Sequence, residues 1–260
     1  MDNQQPVYLS VIIPSYHERE RIGRTLLEID AYCKTQPWLY EILVIVDGSN
    51  DNTAEVARNY SRQVANLRVI ENPENHGKGF VVRQGLLEAQ GKYRLFMDAD
   101  GSTSITHLES FLPQFEQEDY DVVIGSRDIK GANVEVHQPF YRELFGNMGN
   151  IAIKSVLGLW KYPDTQCGFK MLSATAAQEI ASRMVVDRFA FDFELIALAE
   201  HLGFKVKQMP VRWLDEAEGS TVNLFGPNGY IKVLIDLFLT RVRLSTGQYH
   251  IGAYTNKEAK

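Results

Sequence analysis

In RLFMDADGST two aspartates, Asp98 and Asp100, stand one residue apart directly after the apolar run YRLFM. Carboxylates at i and i+2 can grip one hard cation where the backbone turns, and Gly101 permits such a turn. Mg2+ or Mn2+ takes oxygen ligands and keeps positions open for water and substrate phosphates. The plain structural reading of the same residues is an Asx turn capping the helix in STSITHLESF. Other polar clusters follow apolar runs in the same way. PSYHERERI closes a run with Pro14 and Tyr16 and opens a helix with Glu18. IVDGSNDNTAEV puts Asp47 at a strand end, with Asp51 or Asn52 as a helix cap. NPENHGKGF is a glycine-rich turn into a helix, with Lys78 either near a ligand phosphate or solvated. It is not a P-loop, because the spaced first glycine and the Ser or Thr after the lysine are missing. Asp192 in FDFEL is a helix N-cap or a general base.

Strands and helices must alternate to bring these clusters together. VYLSVII, YEILVIV, NLRVIE, YRLFM and DVVIG read as buried strands. ERIGRTLLEIDAYC, NTAEVARNYSRQV and GFVVRQGLLEAQ read as the helices between them, the first with helical spacing at Ile22, Leu26, Ile29 and Cys33. Such alternation implies an α/β fold with a mostly parallel central sheet covered by helices on both faces. Ligands then bind outside the carboxyl ends of the strands, where Pro14–Glu18, Asp47–Asp51 and Asp98–Asp100 all fall. The second half is less regular. FGNMGNIAIKSVLGLW looks helical but glycine-rich, AFDFELIALAEHLG is a helix ending at Gly203, and FKVKQMPVRW is a strand-like return.

Composition narrows the function classes. The chain has 260 residues and a formal net charge of -6, so there is no excess of basic charge to neutralise nucleic-acid phosphates. An anionic ligand needs local basic groups or a metal ion. Cys33 and Cys167 fit neither a disulfide framework nor a zinc spacing, which points to reduced thiols and a cytoplasmic protein. The first residues, MDNQQPVYLS, lack the basic and apolar regions of a signal peptide, and no run of about 18 apolar residues reads as a spanning helix.

The order PSYHE, VDGSND, NHGKG, DAD, GSR, DTQCGFK and FDFEL resembles the inverting glycosyltransferases of family 2, with the GT-A fold. Within that family the chain is most similar to dolichyl-phosphate (polyprenyl-phosphate) glucosyltransferases, over roughly residues 8–222. The resemblance implies that Pro14, Tyr16 and Glu18 line the nucleoside pocket, with Glu18 near the ribose. It puts Asp47 near the base or ribose and Lys78 near base and phosphates. Asp98 and Asp100 would hold the Mg2+ or Mn2+ that bridges the diphosphate. Arg127 would bind the acceptor phosphate, Gln166 and Lys170 would face the sugar or acceptor, and Asp192 and Glu194 would close the acceptor side. Asp100 and Asp192 carry the catalytic expectation. One departure stands out: the first of two aspartates usual before GS is Val46 here, so contacts to a uracil edge must come from elsewhere.

The expected activity is transfer of a hexose, glucose from UDP-glucose, to a polyprenyl phosphate. The rivals are a family 2 transferase with a hydroxyl acceptor and a nucleotide-sugar-binding protein without transfer. The expected division is a glycosyltransferase domain over 1–222 and a C-terminal amphipathic helix and tail over 223–260. In GYIKVLIDLFLTRVRL, within 230–244, Ile231, Leu234, Ile235, Phe238 and Val242 follow helical spacing, beside Lys232, Arg241 and Arg243. That pattern suits a peripheral helix on the cytoplasmic face of an anionic membrane. The plain alternatives are a helix packed on the domain or a homodimer contact.

Overall fold

The computed structural model describes residues 6–134, 151–214 and 227–249. The strands are β1 (Leu9–Ser15), β2 (Tyr40–Asp47), β3 (Leu67–Asn72), β4 (Tyr93–Met97), β5 (Val122–Ser126), β6 (Asn133–Val134), β7 (Phe169–Ser173), β8 (Val206–Pro210) and β9 (Arg212–Trp213). The helices are α1 (Ile22–Lys34), α2 (Thr53–Asn59), α3 (Lys78–Glu88), α4 (Leu108–Glu116), α5 (151–157), α6 (Ala174–Ala181), α7 (Phe191–His201) and α8 (Pro227–Thr246). Of the glycine-rich segment FGNMGNIAIKSVLGLW, 145–150 lies outside the described residues, and 151–157 is helical as expected.

Seven strands form one sheet in the order β3-β2-β1-β4-β7-β5-β8, and β6 and β9 pair separately. Within the large sheet only β7 runs against its neighbours, antiparallel to both β4 and β5. The mostly parallel α/β sheet expected from the alternation is therefore the observed fold. The period-2 alternation of side chains divides the core in two. Ile12, Leu43, Ile45, Phe96 and Leu172 point to a layer built by α3, α5, α6, α7 and α8. Val11, Ile13, Ile42, Val44, Val46, Leu95, Met97 and Met171 point to the layer of α1, α2 and α4. Burial on both faces explains why these strands read as continuous apolar runs.

α8 lies against the first layer through Leu237, while Ile231, Leu234, Ile235 and Phe238 face outward. Among the described residues no helix is long and apolar enough to cross a membrane.

α3 approaches the sheet at Gly85, where an added Cβ would lie 2.3 Å from Ile12 Cγ2. Alanine there gains about 1 kcal/mol of helix propensity but forces an overpacked contact that costs about 1–3 kcal/mol. The clash outweighs the gain because both the strand and the helix are fixed on their other faces. At 2.3 Å the cost lies toward the upper end of that range, about 2–3 kcal/mol, so Gly85→Ala is expected to lower stability by about 1–2 kcal/mol in urea unfolding. A neutral or stabilised variant would contradict this contact.

Candidate active site

β4 ends at Met97, which faces Phe169 of β7, and Asp98 follows at once. Asp98 Oδ1 lies 2.5 Å from Lys78 Nζ at the start of α3. Its other oxygen faces Gly168, where a Cβ would come within 2.0 Å, so this position in DTQCGFK has no room for a side chain. Asp100 Oδ1 accepts the Ser102 N–H at 2.9 Å, and Gly101 turns with φ +74°. The Asx turn of the plain reading is thus present, and it is compatible with the metal reading because it presents Asp100 beside Asp98. α1 pins the turn from outside, since Thr25 Oγ1 donates to the Ala99 carbonyl at 2.7 Å. Burial and the neighbouring Asp98 charge push the Asp100 carboxyl above the usual range.

Asp192 is not a cap. Ala190 is the N-cap of α7 and makes no side-chain cap bond, and Asp192 sits in the first turn. It accepts a hydrogen bond from Lys170 Nζ, which also donates to the Cys167 carbonyl at 2.7 Å. Lys170 pairs with Phe96 in the sheet register and is fully buried. Burial pushes the Asp192 carboxyl upward, against the pull of the Lys170 and Lys78 ammonium groups. Lys170, expected to face the sugar or acceptor, is the buried partner of Asp192. Glu194 lies inside the core, accepting from the Val185 N–H at 3.1 Å, the Val186 N–H at 3.0 Å and the Tyr249 hydroxyl at 2.8 Å.

The ends of β1 and β2 are tied to one another. The His17 N–H donates to Ser49 Oγ at 2.9 Å and the Glu18 N–H to Thr53 Oγ1 at 3.0 Å. Pro14 is buried, and Tyr16 is exposed and stacks on His17. Asp47 is almost wholly buried and accepts the backbone N–H groups of His76 (3.0 Å) and Gly77 (2.7 Å). It therefore holds the NHGKG loop in place. Val46 points into the α1–α2 layer and is fully buried. Glu18 pairs with Arg21 at 2.8 Å. Burial, with Asp100 and Asp98 nearby and Arg21 opposing, raises Glu18 to about 7.

At the end of β5, Arg127 gives its Nε and Nη2 to Asp164 at 2.8 and 3.1 Å, and its guanidinium lies over the Trp213 ring. Gln166 is exposed, and its N–H donates to the same Asp164 at 3.0 Å. Sequence reasoning missed Asp164, Arg21 and Gly168. Asp164 lies 37 positions from Arg127, and no local spacing signals such a pair.

Glu18, Lys78, Asp98, Asp100 and Asp192 thus lie close enough at the strand ends for their charges to act on one another. Asp98 and Asp100 offer hard oxygen donors. Among the described residues no group of three or more His, Cys, Asp or Glu is placed to hold a metal. A cation held by these two carboxylates alone would need its remaining ligands from water or a bound phosphate, which suits Mg2+ or Mn2+ better than a structural zinc.

Glu18 provides a pH test. Its folded-state pKa, about 7, lies above the ordinary 4.5. The stability it contributes is therefore complete below pH 4.5 and is lost as pH rises to about 7. In Glu18→Gln the fall in unfolding free energy between pH 4.5 and pH 7 is expected to shrink by about 1–3 kcal/mol. An unchanged pH dependence would contradict the raised value.

The sequence pattern of the family described as Glycosyl transferase family 2 matches residues 10–181, a span that contains Glu18, Asp47, Lys78, Asp98 and Asp100. The chain is 35% identical to a dolichyl-phosphate beta-glucosyltransferase of Drosophila melanogaster, over 99% of this chain and 82% of the relative. It is 30% identical to a dolichyl-phosphate beta-glucosyltransferase of Saccharomyces cerevisiae, over 95% of this chain and 78% of the relative. Among solved structures, glucosyl-3-phosphoglycerate synthase from Mycobacterium tuberculosis in complex with Mn2+, UDP and glucosyl-3-phosphoglycerate superposes with a TM-score of 0.60. That match has 17% identity, covers 94% of this chain and 81% of the other, and shows a shared fold. The motif order at the strand ends, the match from β1 through α6 and the nearly end-to-end relatives agree: the chain belongs to glycosyl transferase family 2, with the GT-A fold.

Proposed function

We propose that this enzyme is an inverting transferase that moves glucose from UDP-glucose to a polyprenyl (dolichyl-type) phosphate. The observation that carries the reading is the match, over 99% of the chain, to a relative named for that activity. The residues at the strand ends support it. Tyr16 and Glu18 take the nucleoside side, and Lys78 takes the phosphates. Asp98 and Asp100 would hold a Mg2+ or Mn2+, which would supply positive charge where negative charge builds as the sugar–phosphate bond breaks. The acceptor phosphate attacks the anomeric carbon from the opposite face and inverts it.

A phosphate monoester is already ionised near neutral pH, so no strong base is required. Asp192 fits this. Its carboxylate is occupied by Lys170, and the pair serves as a fixed wall of the acceptor side more readily than as a proton acceptor. Arg127 and Gln166, on the neighbouring strand end, take the acceptor phosphate. The outward stripe of Ile231, Leu234, Ile235 and Phe238, with exposed Lys232 and Arg241, suits peripheral contact with an anionic membrane, where a lipid acceptor resides. On this reading the enzyme works as a peripheral protein at the cytoplasmic face of a membrane. A homodimer through the same stripe is the rival use of that surface, and flotation with anionic vesicles separates the two.

Incubation with UDP-glucose, Mg2+ and a short polyprenyl phosphate is expected to give a product heavier by one hexose. Failure with that acceptor, alongside transfer to a hydroxyl acceptor, would overturn the reading. Asp100→Ala is expected to keep the fold and lose cation-dependent UDP binding in calorimetry, and unchanged affinity would sink the metal assignment. Asp192→Asn is expected to retain measurable transfer with no carboxylate limb in its pH–rate profile. General-base help is worth about 10²–10⁴-fold, so a loss above about a thousandfold with folding and donor binding intact would favour a hydroxyl acceptor.

A further inference from the structure

The site already contains a cation. Lys78 Nζ lies 2.5 Å from Asp98 Oδ1, and the Lys78 side chain is about a quarter exposed. The fields of Asp192 and Asp100 reach it as well and hold it firmly protonated despite burial. Its backbone cannot retreat. Asp47 grips the N–H groups of His76 and Gly77, and the Phe80 N–H donates to the Asp187 carbonyl at 3.0 Å. A Cβ on Gly77 would meet that carbonyl oxygen at 2.4 Å, and one on Gly79 would meet the Val186 oxygen at 2.3 Å, so the loop is seated against 186–187 without slack. Only the four-carbon stem of Lys78 can move. Asp98 is about a third exposed, with Oδ1 on Lys78 and Oδ2 facing Gly168. In this arrangement one oxygen of a proposed metal ligand is already occupied by the protein.

We propose that Lys78 is an internal counter-ion that occupies Asp98 while no donor is bound and yields that carboxylate to the divalent cation when a nucleoside diphosphate arrives. This rests on the reading of Asp98 and Asp100 as the metal grip. The diphosphate supplies the oxygens that draw the ammonium away, and the cation takes its place on Asp98. No covalent bond changes. The consequence is a linkage: the cation alone binds weakly, and diphosphate and cation strengthen each other by one common factor. A nucleotide-free enzyme is thereby kept from accumulating metal.

The test is Mn2+ titration, read by the electron paramagnetic resonance of free Mn2+, with and without UDP. For the wild type, Mn2+ alone is expected to bind weakly and UDP to tighten it by about tenfold or more. Lys78→Met removes a positive charge facing the dication and frees Asp98. It is expected to bind Mn2+ alone about tenfold more tightly than the wild type, with a smaller enhancement by UDP. Unchanged or weaker Mn2+ binding by Lys78→Met would overturn the proposal. Melting curves check the fold, and Lys78→Gln is the second neutral variant if Met lowers it. Lys78→Arg keeps the charge and is expected to stay within about threefold of the wild type. A rise equal to that of Lys78→Met would implicate space rather than charge and overturn the proposal as well. Asp100→Ala separates the two levels. Loss of Mn2+ binding there without a Lys78→Met effect removes only the counter-ion role, whereas unchanged binding in Asp100→Ala removes the metal grip and the counter-ion role together.

Discussion

Carboxylates cannot crowd the ends of buried strands without cations among them. Glu18, Asp98, Asp100 and Asp192 converge where β1 and β4 end and α7 begins, and each is partly or wholly withdrawn from water. Isolated, such charges would protonate or prevent folding. Here Arg21 answers Glu18, Lys78 answers Asp98, and Lys170 answers Asp192. Much of the local structure exists to keep those cations in place. Asp47 clamps the loop before Lys78, Gly77 and Gly79 let that loop close on 186–187, and Gly168 leaves room for the Asp98 carboxylate. The glycine-rich turn was legible in sequence. Its rigidity comes from partners distant in sequence: Asp47, about thirty positions before it, and 186–187, more than a hundred after it.

Carboxylates of this chain divide by how their oxygens are satisfied. Glu41, at the opposite end of the strands, accepts from Ser10 Oγ and the Gln90 N–H, both at 2.6 Å, and from Arg68. Asp30 accepts from the Tyr40 hydroxyl at 2.6 Å and the Ala65 N–H at 3.0 Å. Asp47, Asp164 and Glu194 likewise hold fixed backbone N–H groups. These are frame. Asp98 differs in kind, because its partner is a flexible ammonium that can leave. Whether a buried acid serves architecture or chemistry follows from the mobility of what it binds, which residue type and spacing do not encode.

The same distinction explains what could be read in advance. Apolar runs alternating with helical spacing gave the parallel sheet, and the strand-end rule brought Asp47, Asp98 and the PSYHE segment to one side. β7 was not legible as the reversed strand, since FKMLS carries the same apolar signal whichever way it runs. The resemblance implies that Lys170 faces the sugar or acceptor, although its place between Phe169 and Met171 in a strand was a hint of burial. Asp192 reads as a general base or, because it precedes an apolar helix, as a cap. The lysine that claims it lies 22 positions upstream, beyond any periodicity argument. Arg127 and Asp164 form a pair for which only the folded geometry gives the warrant.

Glu194 has a further consequence. One carboxylate joins the Val185–Val186 backbone, whose neighbours support the Lys78 loop, to Tyr249, which follows α8. The group is dry, so losing one donor there costs far more than at the surface. Local openings therefore cannot be independent: detaching α8 strips Glu194 of a partner, and loosening 185–188 unseats the donor loop. On heating, α8 and the strand-end site should let go as one cooperative unit, and the temperature at which catalysis fails would be set by how firmly α8 is held.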